Sequence, residues 1–173
     1  MKPWNDYASY LRNRFGGRVQ KISVNAGFTC PNRDGSLSDQ GCIYCNNKTF
    51  NPFYCSPAKS ISQQLNEGIA FFGKKYKAQQ YLAYFQAYSN TYASVDTCLS
   101  LYEEALAVPG VAGLVIATRP DCLSNELLVE LKRLAGEKYT LIELGIETTL
   151  DRTLQLINRC HSFQQASDAV FRT

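Results

Sequence analysis

The chain has 173 residues, 45% of them hydrophobic, and a formal net charge of +3, enough for one globular domain and too little for two comfortable ones. Its basic residues are scattered, and the one short cluster, Lys74, Lys75 and Lys77, reads as a solvated helix end, so charge alone argues no nucleic-acid stripe. The N-terminus lacks a signal-peptide core and the longest apolar run, 111–117, cannot span a bilayer; seven cysteines, an odd number, do not form a secreted disulfide framework. These features predict a soluble protein in a reducing, cytoplasmic setting, without a membrane partner.

Taken in order, Asp6 or Asn5 can cap a short helix in which Tyr7, Tyr10, Leu11 and Phe15 share a face, and Gly16-Gly17 can end it. Val19 to Val24 reads as a strand with Ile22 and Val24 on one side, leaving through Asn25-Ala26-Gly27. Residues 30–45 follow, CPNRDGSLSDQGCIYC, a turn-rich segment without a sustained helical or strand period. Ser60 and Gln63 have capping-box spacing ahead of a helix carrying Ile61, Leu65, Ile69 and Phe72.

Gln80 to Gln86 is an aromatic-rich apolar run with the composition of a strand covered on both faces. A helix from Ser94 to Ala107 turns Val95, Cys98, Leu99, Tyr102 and Leu106 inward and stops at Pro109-Gly110. Gly113 to Thr118 is a third strand. Ser124 caps a third long helix with Leu127, Leu128, Leu131 and Leu134 in one stripe, and Tyr139 to Ile146 is a fourth strand. Leu150, Leu154 and Ile157 carry the next helix, Arg159-Cys160-His161 interrupts it, and Ser162 caps a last helical piece through Val170 and Phe171.

Strand and helix thus alternate four times, which predicts an α/β fold with a parallel sheet and right-handed crossovers in a single domain over 1–173. Ligands in such folds sit beyond the C-terminal ends of the strands, where the polar residues of this chain gather. The sequence contains neither a G-x-G-x-x-G nor a Walker-type phosphate loop.

Cys30, Cys42 and Cys45 are separated by eleven residues and then by two. Three soft thiolates in one loop favour zinc or an iron–sulfur cluster over magnesium or calcium. Structural zinc is usually closed by four ligands, and Cys55 could supply the fourth; three cysteines alone would instead hold a cubane cluster with one open iron. Buried, idle thiols are the remaining reading, for which a polar, glycine-bearing loop is a poor setting.

A cysteine loop after the first strand of a β/α array, with Tyr44 just before the last cysteine, resembles the radical S-adenosylmethionine superfamily, whose usual spacing is three and then two. The widened first gap resembles the branch containing the Elongator catalytic subunit. The stretches GFTCPNRDG, YFQAYSNTYA, ATRPDCL, ELGIET and INRCH, in that order, are similar to those of the YhcC-type radical SAM proteins, although Cys160 stands where that pattern has glycine.

The resemblance implies a partial TIM-type barrel with a 4Fe-4S cluster on Cys30, Cys42 and Cys45. It implies reductive cleavage of S-adenosylmethionine to a 5′-deoxyadenosyl radical acting on an unknown substrate, with electrons from an external flavodoxin- or ferredoxin-type donor. RNA is a conceivable substrate on the same ground, without support from charge. Cofactor contacts are expected from Tyr44, from Gln86, Tyr88, Ser89, Asn90 and Thr91 after the second strand, from Arg119 and Asp121 after the third, and from Glu147 after the fourth.

Asn90 and Thr91 could equally cap the next helix, and Arg119 with Asp121 could form a local salt bridge. Glu147 is preferred over Glu143 because strand alternation places only one of them on a given face. His161, the single histidine, is read as a structural hydrogen-bonding residue. The superfamily core commonly has six β/α units; four are counted here, so the expectation is an incomplete core within a protein of roughly twice the length.

Overall fold

The computed structural model describes residues 3–4, 6–74 and 79–173. The alternative cap Asn5 and the cluster residues Lys75 and Lys77 lie outside the described residues.

Helix α1 (Tyr7–Phe15) starts where Asp6 accepts from the Ser9 amide, and it stops at Gly16, which takes a left-handed φ of 69°. Strand β1 (Val19–Val24) follows, and the cysteine loop leads through a short 3₁₀ turn, Asn47–Phe50, into α2 (Ile61–Gly73). The remaining elements are β2 (Gln80–Phe85), α3 (Val95–Leu106), β3 (Val111–Thr118), a 3₁₀ turn Pro120–Cys122, α4 (Asn125–Glu137), β4 (Tyr139–Leu144), α5 (Asp151–Leu156) and α6 (Phe163–Arg172). Ser60, Ser94, Ser124 and Ser162 each accept from the third backbone amide beyond them. At Ser162 the capping box is complete, through Gln165.

All four strands are parallel in the order β1-β2-β3-β4, and helices alternate with them. Sequential neighbours therefore pair, as short right-handed connections favour. Alternation divides the sheet. Ile22, Val24, Ala83, Phe85, Leu114 and Ile116 form one face, packed with the buried stripes of α2, α3 and α4.

The opposite face carries Leu82, Val115 and the partly buried Val19, Tyr84, Tyr139 and Leu141, against which Leu11 and Phe15 of α1 pack. Only Leu11 of α1 is buried; Tyr7 and Tyr10 stay near 40% exposed. Close packing of α2 on β1 depends on Gly68, where a Cβ would lie 2.4 Å from Ile22 Cγ2.

Two differences from the sequence reading have physical causes. β3 begins at Val111, two residues before the expected start, because Tyr81 pairs with Val111 across an irregular register that leaves Ala112 as an extra residue. β4 ends at Leu144 because, after Gly145 N makes the last bond across to Thr118 O, Ile146 N turns back to bond Leu144 O. In α6 the inward residues are Ala166 and Ala169, while Val170 and Phe171 point outward, Phe171 being 86% exposed. Among the described residues, no helix is long and apolar enough to cross a membrane.

Candidate metal and cofactor site

The register aligns the C-terminal ends of the strands at one edge of the sheet, so the loops leaving Val24, Phe85, Thr118 and Leu144 converge there. They enclose a cavity of about 360 Å³ lined by all three candidate ligands, Cys30, Cys42 and Cys45. Cys42 is buried, and the other two are partly exposed. Among the described residues, no three His, Cys, Asp or Glu side chains form a group that could hold a single metal ion.

The cysteine loop is shaped by its own backbone. Arg33 and Asp34 amides donate to Cys30 O, Leu37 N to Pro31 O at 2.7 Å, Gly41 N to Asn32 O at 2.7 Å, and Cys45 N to Cys42 O at 3.0 Å. A distant segment clasps it. Ile43 N donates to Ile157 O, Asn158 Nδ2 donates to Gly41 O at 2.8 Å, and Asn32 Nδ2 donates to Asn158 O at 2.5 Å. Asn158 sits at φ 52°, a left-handed conformation asparagine tolerates better than most residues.

Side-chain donors also reach the sulfurs. Asn32 Nδ2 lies 3.3 Å and Arg159 Nη1 3.6 Å from Cys42 Sγ, and Asn47 Nδ2 lies 3.2 Å from Cys45 Sγ. Such bonds stabilise charge on sulfur, so the donor set suits a thiolate-held soft metal centre. Cys55 behaves otherwise. Its thiol donates to Ser23 O at 3.0 Å, burial pushes its pKa up to about 11, and it is not among the residues lining the cavity.

Of the expected cofactor contacts, Tyr44, Gln86, Tyr88, Ser89, Arg119 and Glu147 line the cavity. Asn90, Thr91 and Asp121 are absent from its lining. Asn90 Nδ2 instead ties Phe85 O to Ala117 O, and Thr91 Oγ1 bonds Thr118 Oγ1 and Cys122 O, so both side chains fasten the end of β2 to the end of β3. Asp121 receives Nε and Nη2 of Arg119 at 2.9 and 2.8 Å. Among the described residues, this leaves buried Arg119 Nη1 without a partner.

Glu143 does not separate from Glu147 by alternation: residues four apart share a face of a strand, and both line the cavity. Glu147 lies beyond the end of β4 at φ 69°, where strand alternation no longer applies, and its carboxylate comes within 3.7 Å of Arg159. Glu143, on β4, accepts from Lys21 Nζ at 2.6 Å and from Tyr84 OH at 2.7 Å, and Glu143 and Tyr84 both line the cavity. Asn32, Asn47, Asn158 and Arg159 are not among the site residues expected from the sequence; the signal available is the stretch INRCH, which carries part of the family resemblance and whose Arg159-Cys160-His161 interrupts a helix.

His161 is 7% exposed, accepts from Arg159 Nε at 3.0 Å through Nε2, and faces Ser162 O through Nδ1 at 3.1 Å. This arrangement needs a neutral ring with its proton on Nδ1. Burial lowers the pKa most; the Ser162 carbonyl pulls it up and the Arg159 charge pushes it down, with a net lowering. The neutral ring thus contributes stability that is fully present above the unfolded value near ~6.5 and lost as pH falls from there through the folded pKa. We expect the melting temperature to fall between pH 7.5 and 5, more steeply in the parent than in His161→Gln; parallel slopes would contradict the assignment.

A parallel β/α sheet with a three-cysteine cavity at its carboxyl edge is the class of architecture defined here. No family model matches the chain. It is similar to YtqA of Bacillus subtilis, 38% identical over 154 residues, covering 89% of this chain and 48% of the relative. Protein YhcC of Escherichia coli K12 is 38% identical over 160 residues, 92% of this chain and 50% of its own length. MJ0486 of Methanocaldococcus jannaschii is 30% identical over 167 residues, 95% of this chain and 50% of the relative. The chain spans about half the length of these curated relatives.

Proposed function

We propose that the chain carries the cluster-binding part of a radical S-adenosylmethionine enzyme, with its four β/α units forming part of a TIM-type barrel. Cys30, Cys42 and Cys45 would hold a 4Fe-4S cluster. The observation that carries this reading is the meeting of the three cysteines on one strand-end cavity, with N–H groups of Asn32, Arg159 and Asn47 directed at Cys42 and Cys45. When bound, such a cluster supplies the electron for reductive cleavage of S-adenosylmethionine to a 5′-deoxyadenosyl radical.

The protein's part is to bind, orient and exclude water. Arg119 Nη1, buried and without a partner among the described residues, offers a charge-assisted donor to an anionic group such as a carboxylate. Gln86 and Glu147 on the same wall can accept from an amine or from ribose hydroxyls. Tyr44, Phe50, Tyr84 and Tyr88 supply aromatic surface that restricts solvent. The electron would come from an external flavodoxin- or ferredoxin-type partner.

The reading is tested by anaerobic reconstitution with iron and sulfide, followed by metal and sulfide analysis. About four irons and four sulfides per chain is the expected result. Stoichiometric zinc without sulfide overturns the proposal in favour of a zinc module.

A further inference from the structure

Arg159 occupies the connection between α5 and α6, yet its guanidinium is 117 residues from Cys42 in sequence and in contact with it in space. Each of its nitrogens has an assigned partner. Nε donates to His161, Nη2 donates to Gly145 O at 2.5 Å and faces Glu147, and Nη1 is left for Cys42 Sγ. Gly145 makes room for this, since a Cβ there would lie 2.8 Å from Arg159 Nη2. The side chain is only 9% exposed, so its charge acts on the sulfur with little screening by water or salt.

Asn32 is fully buried and directs Nδ2 to both Cys42 Sγ and Asn158 O, while its Oδ1 has no partner among the described residues. An orphaned buried carbonyl oxygen calls for an explanation. The explanation here is that the amide is held for its N–H face, which serves two acceptors. Asn47 makes a parallel arrangement at the rim: Nδ2 donates to Cys45 Sγ while Oδ1 accepts from the Tyr88 amide.

We propose that Arg159, Asn32 and Asn47 form a positioning shell that withdraws charge from the sulfurs of Cys42 and Cys45 and thereby sets how readily a cluster held there accepts an electron. This rests on the iron–sulfur reading above. Reduction adds negative charge to a cluster, so N–H donors and a nearby cation stabilise the reduced form. The shell also ties that property to the α5–α6 connection, because Arg159 enters from there.

The test is a redox titration of the reconstituted protein followed by electron paramagnetic resonance, with iron, sulfide and circular dichroism measured on each sample. Arg159→Gln should lower the ratio of reduced to oxidised cluster at a fixed potential about tenfold, equivalent to about 59 mV for one electron. Arg159→Lys, which keeps the charge but loses the planar fork, should recover most of that ratio. Asn47→Ala should lower it by about threefold.

Equal potentials in the parent, Arg159→Gln and Asn47→Ala at equal cluster content would overturn the proposal. Should Arg159→Gln fail to fold, Asn47→Ala decides: a lowered ratio supports the shell and an unchanged one refutes it. A parent that takes up no cluster refutes the iron–sulfur reading itself, whereas a loaded parent with indifferent variants refutes only the shell.

Discussion

Cys42→Ala is expected to abolish stable iron–sulfur loading, whereas Cys55→Ala should load like the parent. Cys42 is the buried member of the three and the sulfur to which two nitrogen donors, Asn32 Nδ2 and Arg159 Nη1, converge. Its loss removes a ligand and leaves a buried guanidinium N–H without its acceptor, so both the metal and its surroundings suffer. Cys55 is engaged as a neutral donor to Ser23 O, with a thiol pushed up to about 11 by burial, and a metal ligand must lose that proton. Iron and sulfide contents after identical anaerobic reconstitution provide the comparison. Full loading of Cys42→Ala together with failure of Cys55→Ala would refute the ligand assignment.

The largest effect on stability should come from Phe85→Ala. Phe85 is 0% exposed, pairs in register with Val24 and Ile116, and meets Tyr102 edge to face at 5.1 Å. It therefore joins β1, β2 and β3 to α3 in the principal core, and truncation loses transfer free energy and leaves a cavity costing about 3–5 kcal/mol. Urea unfolding should show this as a lower midpoint at an unchanged slope. Phe53→Ala, at 78% exposure, should cost about 1 kcal/mol or less, despite its ring contacts with Tyr54 and Phe71. Equal losses from the two substitutions would contradict the packing described.

Phe85 also shows what was legible in the sequence. Its aromatic run has the length and composition of a covered strand, and the serine caps at 60, 94, 124 and 162 mark helix starts by a purely local hydrogen bond. Parallel pairing followed from the alternation of elements. Burial of α6 did not follow, because small Ala166 and Ala169 allow close approach while larger Val170 and Phe171 lie on the outer side.

At the site, the cysteines were legible because their chemistry and spacing are unusual in a turn-rich loop. Their supporting groups were hidden by chain distance: Asn158 and Arg159 act 117 residues away from Gly41 and Cys42, and nothing local in Asn158-Arg159 advertises that reach. Glu143 and Glu147 stand four apart, so alternation offers no ground for choosing between them; β4 ends at Leu144, and with the left-handed turn at Glu147 both residues line one cavity. Asn90 and Thr91 have the polarity of binding residues, but strand-end backbone and Thr118 take up their hydrogen bonds.

The central claim is that Cys30, Cys42 and Cys45 hold a cluster with an iron open to S-adenosylmethionine. It is tested most directly by the electron paramagnetic resonance spectrum of the reconstituted, reduced protein before and after addition of S-adenosylmethionine. The account predicts a reduced-cluster signal that changes on addition. A reduced-cluster signal indifferent to saturating S-adenosylmethionine would contradict it.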